Sequence, residues 1–170
     1  MGNTNNNIMK NPAKVIFLDV DGVLRTYHWE LELRQHYESQ GIKKSHVEMS
    51  TELNPDSIAA LVHIIKQTDA KIVLSSSWRL SKEYSRIIEK ALAQHETKIF
   101  SRTPRLQSSI RWEEIQDWLQ KRPPCQSIII DDDESAFNEY EAPSNSRFFH
   151  VTSKHGLTMD DANIIIDWLT

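Results

Sequence analysis

The stretch KVIFLDVDGV, residues 14–23, predicts how the chain begins its fold. Its first half, Lys14–Leu18, is a nearly continuous apolar run, which is typical of a central strand buried on both faces. The run stops at Asp19, and Asp21-Gly22 then forms a turn signal. Because side chains alternate along an extended strand end, Asp19 and Asp21 can point the same way. The stretch therefore predicts a buried strand that ends in two carboxylates.

Strands and helices alternate along the rest of the chain. Short apolar runs predict further strands, and apolar residues at helical spacing predict the helices between them. The predicted strands are residues 71–74, 98–100, 127–130 and 147–151. The predicted helices start at Asn54, Ser81, Ser109 and Thr158. This alternation predicts an α/β fold, a Rossmann-like three-layer sandwich with a mostly parallel central sheet.

Two segments fall outside this pattern. Residues 1–12 are rich in Asn and predict a flexible N-terminal tail, which leaves residues 13–170 as one domain. Residues 26–53 form an insertion rich in His, Glu and aromatic residues, with a helix predicted near residues 30–39. A long insertion directly after the first strand usually lies over the strand ends, where ligands bind. The insertion therefore predicts a small cap or flap over the site.

Composition excludes several classes of protein. The chain has 170 residues, a net charge of −4 and a single cysteine, Cys125. The negative charge excludes a globally basic nucleic-acid surface, and one cysteine excludes internal disulfides and cysteine-rich zinc sites. No apolar run reaches the roughly 18 residues of a membrane span, and the polar N-terminus resembles no signal peptide. We therefore expect a cytoplasmic protein, or one exported without a classical signal peptide.

A second group of carboxylates follows a later strand. Asp131-Asp132-Asp133 end the apolar run at residues 127–130, and a parallel sheet brings them to the same edge as Asp19 and Asp21. Carboxylates gathered in a low-dielectric cleft repel one another strongly. A hard divalent cation relieves that repulsion, and an all-oxygen ligand set without His or Cys favours Mg²⁺ over zinc.

Hydroxyl and guanidinium groups are predicted at the same edge. Ser75–Ser77 end the second strand and offer hydroxyl and backbone N–H donors for phosphate oxygens. Arg111 opens the helix before the Asp-rich strand and can supply a positive charge to a phosphoryl group. A carboxylate nucleophile, a cation, hydroxyl donors and an Arg together indicate phosphoryl transfer through an aspartyl-phosphate.

These stretches resemble a known enzyme superfamily. DVDGV (residues 19–23), LSSSWR (74–79), a following basic residue and IIIDDD (128–133) resemble motifs I to IV of the haloacid dehalogenase (HAD) superfamily. The form R-x-x-EI-x-x-WL at residues 111–119 and GLT at residues 156–158 extend the likeness over most of the chain. In these local forms the chain resembles the small HAD domains of RNA-repair proteins and of standalone bacterial phosphatases.

The resemblance implies a role for each motif residue. Asp19 would be the nucleophile that becomes phosphorylated, and Asp21 would be the general acid and then the base. Ser76, or as the second choice Ser75, would bind the phosphoryl group. The implied ligands of Mg²⁺ are Asp19, the backbone carbonyl of Asp21, Asp131 and Asp132.

One departure from the family pattern leaves undecided which residue is the cation of motif III. Relatives often carry Gly directly after this residue, whereas Trp112 follows Arg111 here. Lys98, Arg102 and Arg105 therefore remain alternatives to Arg111.

Two side chains are candidates for contact with substrate. Trp29 belongs to the run Tyr27-His28-Trp29, which predicts either an aromatic patch facing the substrate or a cover over the core. Arg79 either contacts substrate or pairs with an acid. The neighbouring Trp78 is interpreted as packing beneath the loop.

The predicted function is a Mg²⁺-dependent phosphomonoester hydrolase whose substrate the sequence does not specify. The insertion is short for a cap that encloses a small metabolite, so an open site would admit a bulky phosphorylated partner. Phosphotyrosine on a protein, as for a bacterial effector domain, is the first alternative, because an aromatic side chain can stack on a phenyl ring. A nucleic-acid end is the second alternative, and a non-catalytic module resembling a receiver domain is the third.

Overall fold

A five-stranded parallel sheet forms the centre of the protein. The computed structural model describes residues 13–49 and 51–170, so the predicted tail at residues 1–12 lies outside the described residues. The strands are β1 Lys14–Leu18, β2 Lys71–Leu74, β3 Ile99–Arg102, β4 Gln126–Asp131 and β5 Ser146–His150. Every pairing is parallel, and the order across the sheet is β3-β2-β1-β4-β5. The predicted α/β class is confirmed, and β1 and β4 lie side by side at the centre of the sheet.

The helices begin largely where the capping residues predict. Asn54, Ser81 and Thr158 each accept a backbone N–H at a helix start, and Thr158 forms a capping box with Asp161. The helices are α1 Tyr27–Ser39, α2 His46–Met49, α3 Pro55–Thr68, α4 Lys82–Ala93, α5 Arg111–Gln120 and α6 Met159–Leu169. Two 3₁₀ turns lie at Ser77–Leu80 and Glu134–Phe137. None of the helices in the described part of the chain is long and apolar enough to cross a membrane.

Helices cover both faces of the sheet, which confirms the three layers. On one face Ile16 and Leu18 of β1 belong to a core formed with α3, α4 and α6. On the other face Phe17 packs with α5, and its ring meets the Trp118 ring edge-on at a centroid distance of 5.3 Å. Because β1 is buried on both sides, every residue from Val15 to Leu18 is apolar.

Several element boundaries differ from the prediction, and those of α5 and β3 have a clear physical reason. Helix α5 starts at Arg111 and not at Ser109, because Ser109 has a left-handed φ of 53° that a helix cannot include. Strand β3 extends to Arg102 and not only to Phe100, since Ser101 and Arg102 pair with β2 beyond a bulge.

The insertion at residues 26–53 contains α1 and α2. Helix α1 begins at Tyr27, before the predicted residue 30, because the Thr26 side chain accepts the Trp29 N–H and caps it. The first N–H groups of α1 donate to the carbonyls of Ser153 and Lys154, so the loop after β5 holds the start of the insertion. The insertion is thus anchored next to the carboxyl ends of the strands.

Candidate active site

Two acidic stretches meet where β1 and β4 end. Leu18 is in register with Ile130, and the Asp19 N–H donates to the Ile130 carbonyl at 3.0 Å. This places one carboxylate oxygen from each of Asp19, Asp131 and Asp132 within 4.8 Å of the others. Asp19 and Asp131 are buried, at 3% and 0% exposure. The structure therefore brings together three of the five acidic residues predicted at this edge.

Gly22 allows the two acidic stretches to approach each other. It has a left-handed φ of 72°, and a Cβ built on it would lie 2.1 Å from Oδ2 of Asp132. Only a residue without a side chain fits at this distance. The DVDG turn and the Asp132 carboxylate are therefore in direct contact.

Replacing Gly22 by Ala should lower the free energy of unfolding by about 2 kcal/mol or more, because strain at positive φ adds to the clash with Asp132. Chemical denaturation measures this loss. Gly41→Ala is the matched control: Gly41 has a φ of 68° but no atom within 4 Å of its built Cβ. This control should cost only about 1 kcal/mol. Equal losses in the two variants would contradict the contact with Asp132.

Arg111 is the basic residue that reaches the carboxylates. Its guanidinium hydrogen-bonds the Asp131 carboxylate and lies 3.3 Å from Oδ2 of Asp19. Among the alternatives, Arg102 pairs with Glu89 on the surface. The other two alternatives, Lys98 and Arg105, have exposed side chains. The geometry therefore favours Arg111 as the cationic residue of the site.

Burial governs the charge of the cluster. It raises the pKa of Asp19 to about 7, and Asp131 adds to this rise, although Arg111 and a hydrogen bond from the Ser76 side chain oppose it. Burial likewise raises the pKa of Asp131 and of Asp132. Burial disfavours the charge on Arg111, but the carboxylates of Asp19 and Asp131 outweigh it and hold the pKa of Arg111 above its ordinary value.

This electrostatic arrangement predicts a pH-dependent stability of the metal-free protein. The pKa of Asp19 is higher in the folded chain than its ordinary 3.8, so protonated Asp19 favours the folded state. This contribution to the free energy of unfolding is complete below about pH 4 and is lost as the pH rises through about 7. Melting temperatures in chelator should therefore fall by about 5 °C between pH 5 and pH 8. Added divalent cation should restore more stability at pH 8 than at pH 5, because it favours ionised carboxylates.

Asp19→Asn is the control for that experiment, since an amide at this position does not titrate and the slope with pH should become smaller. A melting temperature in chelator that rises from pH 5 to pH 8 would contradict the predicted sign.

Asp21 does not point with Asp19, contrary to the expectation from side-chain alternation. Its Oδ1 accepts from Nε of Arg25 at 2.7 Å, and its Oδ2 accepts from Nε1 of Trp78 at 2.9 Å. The Asp21 backbone also forms a bridge with Arg25, and the Asp21 carboxylate is not part of the three-carboxylate cluster. Asp21 is expected to bind the metal through its backbone carbonyl, and this contact stays a prediction.

The three serines after β2 differ in their surroundings. The backbone N–H groups of Ser75 and Ser76 both donate to the Leu18 carbonyl, which holds this loop beside β1. The Ser76 hydroxyl is close enough to Asp19 to lower the pKa of that carboxyl, whereas Ser77 is exposed. Oγ of Ser75 is buried, with no hydrogen-bond partner among the described residues. The surroundings therefore favour Ser76 over Ser75 as the hydroxyl next to the Asp19 carboxylate.

Arg79 has the contacts of a structural residue. Its side chain is 6% exposed and forms a buried ion pair with Glu114. Its remaining N–H groups donate to the backbone carbonyls of Ser75, Ser76, Thr103 and Pro104. Since all five donors have acceptors within the protein, we do not propose contact of Arg79 with substrate. Arg79 instead connects the loop after β2 to α5.

Trp29 is half-buried on α1, and its indole N–H is buried without a partner in the described part of the chain. Its contact with substrate stays a prediction.

A cleft borders Asp21, and none of the three clustered carboxylates lines it. Its volume is about 340 Å³, and it is lined by Asp21, Arg25, Ser77, Trp78, Leu80, Ser81 and Tyr84. Analysis of the sequence did not identify the contact of Trp78 with Asp21, because 57 residues separate them. The sequence gives a weak indication of the contact between Arg25 and Asp21, since opposite charges four residues apart often pair.

The comparison with known families supports this geometry. The model of the family described as the HAD domain in Swiss Army Knife RNA repair proteins matches residues 15–162. The chain belongs to this HAD family. No curated protein and no solved structure matches it significantly. Membership favours hydrolase chemistry of the HAD type.

The donor set of this HAD domain fits a divalent cation. Three carboxylates supply oxygen ligands from two neighbouring strand ends, and their raised pKa values mark them as groups that a nearby positive charge would ionise. Asp131 and Asp132 come from the end of β4, and Asp19 comes from the end of β1. Asp19, Asp131 and Asp132 are the residues that would hold a hard cation, at the carboxyl ends of the two central strands.

Proposed function

We propose that this HAD domain hydrolyses phosphate monoesters through a covalent phosphate on Asp19, with Mg²⁺ as its metal. The observation that supports this most is the buried Asp19 carboxylate, which lies between the Arg111 guanidinium, the Ser76 hydroxyl and two further carboxylates. A nucleophile, a phosphate-binding cation and metal ligands thus meet at one point. A simple turn with solvated acids would not bury these charges.

In the proposed reaction Asp19 attacks the phosphorus of the ester, and the bond to the leaving oxygen breaks. Asp21 gives that oxygen a proton and then takes one from water, which attacks the phosphorus and releases phosphate and free Asp19. Arg111 and Ser76 bind the phosphoryl oxygens throughout. Mg²⁺, held by Asp19, Asp131, Asp132 and the Asp21 backbone carbonyl, would neutralise charge on the phosphoryl group.

Hydrolysis of an aryl phosphate by the full chain tests this proposal. We expect turnover with Mg²⁺ and a loss of more than about 100-fold in chelator, because the three carboxylates would then repel the phosphate dianion. Asp132→Ala should raise the Mg²⁺ concentration needed for half-maximal rate. Equal rates with and without chelator would exclude the metal from the reaction. Stable phosphorylation of Asp19 without turnover would favour the receiver-like alternative.

Phosphotyrosine is the second candidate for the substrate, and the cleft beside Asp21 favours it. The Trp78 and Tyr84 rings lie 4.9 Å apart at the cleft, and Tyr84 is 38% exposed, so a phenyl ring could pack there. The description of the family, which refers to RNA repair, favours a nucleic-acid end as the substrate. Against this, Arg25 is the basic residue that lines the cleft, and it already pairs with Asp21 and Glu30. Release of phosphate from phosphotyrosine peptides and from phosphorylated oligonucleotides, measured side by side, separates these candidates.

A further inference from the structure

Both carboxylate oxygens of Asp21 are engaged by the protein. Arg25 donates to one oxygen at 2.7 Å and the Trp78 indole N–H donates to the other at 2.9 Å. The Asp21 side chain is still 46% exposed, so it borders the cleft while its direction is held. Two donors of different chemistry therefore orient one carboxylate without burying it.

Trp78 is itself held firmly. Its backbone N–H donates to Oγ of Ser76 at 3.4 Å, and its carbonyl accepts from Oγ of Ser85 at 3.2 Å. Its ring is 5% exposed and packs beside Tyr84. Because the Ser76 N–H donates to the carbonyl of Leu18, the residue before Asp19, Trp78 connects the loop beside Asp19 with the carboxylate of Asp21.

We propose that Trp78 is a positioning residue for Asp21, and that the cleft bordered by Trp78 and Tyr84 receives the leaving group of the phosphate ester. This inference rests on the proposed function. Asp21 lines the cleft and follows Asp19 by two residues, whereas none of the three clustered carboxylates lines it, so a phosphoryl group at Asp19 would direct its leaving group past Asp21 into the cleft. The indole N–H then holds Asp21 on the path of the leaving oxygen.

Trp78→Phe removes the N–H donor and keeps an aromatic ring, and two substrates report its effect. An alkyl phosphate has a poor leaving group that needs the proton from Asp21, whereas p-nitrophenyl phosphate has a good leaving group that needs it little. We expect kcat to fall about 100-fold for the alkyl phosphate and less than about 5-fold for p-nitrophenyl phosphate, with KM nearly unchanged. Equal losses for both substrates would show a structural role only and overturn the proposal.

Three further variants make the test specific. Trp168→Phe is the matched control, because the Trp168 indole N–H is buried without a partner among the described residues, and it should change neither rate. In an Asp21→Asn background, Trp78→Phe should cause almost no further loss for the alkyl phosphate, since the residue it positions is gone. Additive losses in the double variant would overturn the proposal. Tyr84→Leu should raise KM for p-nitrophenyl phosphate, and an unchanged KM would contradict the place of the leaving group.

A measurement without turnover separates this inference from the proposed function. In ¹H–¹⁵N spectra the indole resonance of Trp78, assigned by its loss in Trp78→Phe, should shift in Asp21→Ala. No shift would overturn the contact and with it the positioning role. A shift in a protein that hydrolyses neither substrate would refute the proposed function and reduce Trp78 to a packing residue. A shift together with the selective loss for the alkyl phosphate supports both.

Discussion

Asp19→Asn should lower phosphate-ester hydrolysis by about 10⁴-fold or more while the protein remains folded. An amide cannot form the acyl phosphate, so no binding energy from Arg111 or Ser76 compensates for its loss. Asn has nearly the same volume, and burial at 3% exposure already favours a neutral side chain at this position. The variant should therefore melt at or above the wild-type temperature in chelator near neutral pH.

Steady-state rates and melting curves on the same samples measure the two effects separately. Asp133→Asn is the matched control, because Asp133 lies in the same acidic run but is exposed and caps the 3₁₀ turn through Ser135 and Ala136. Asn also caps well, so we expect a change in rate of less than about 3-fold. A rate in Asp19→Asn similar to wild type would refute the covalent mechanism, and an equal loss in Asp133→Asn would point to general charge as the cause.

Breaking the Arg79–Glu114 pair should give the largest loss of stability. Both side chains are about 5% exposed, and removal of one leaves an uncompensated buried charge, which costs about 3–5 kcal/mol. We expect Arg79→Met to lower the melting temperature by about 10 °C. It should also reduce turnover, since the carbonyls of Ser75 and Ser76 lose the donor that holds their loop.

The surface pair Arg102–Glu89 is the matched control, because both side chains are 39% or more exposed. Arg102→Met should cost less than about 1 kcal/mol. The double variant Arg79→Met/Glu114→Leu should recover part of the lost stability, because no unpaired charge then remains buried. If Arg79→Met and Arg102→Met cost the same, the buried pair does not stabilise the protein as its geometry indicates.

Sequence alone predicted the features that depend on neighbouring residues. The apolar run of β1, the caps at Asn54, Ser81 and Thr158, and the acidic strand ends all involve residues only a few positions apart. Backbone hydrogen bonding and the burial of apolar side chains act over such short distances, so their pattern can be seen in the chain. The parallel sheet then follows from the alternation of strands and helices, and with it the meeting of Asp19 with Asp131.

The direction and the partners of individual side chains were decided by the tertiary structure. Side-chain alternation predicted that Asp21 would point with Asp19, yet its carboxylate bonds Trp78 and Arg25 and does not join the cluster of Asp19, Asp131 and Asp132. The choice of Arg111 among four basic residues, and of Ser76 over Ser75, also depends on which donor lies next to Asp19 once the strands have paired. These contacts join residues that are distant in the chain. Their geometry is set by packing and burial in the folded protein, so no local sequence pattern predicts it.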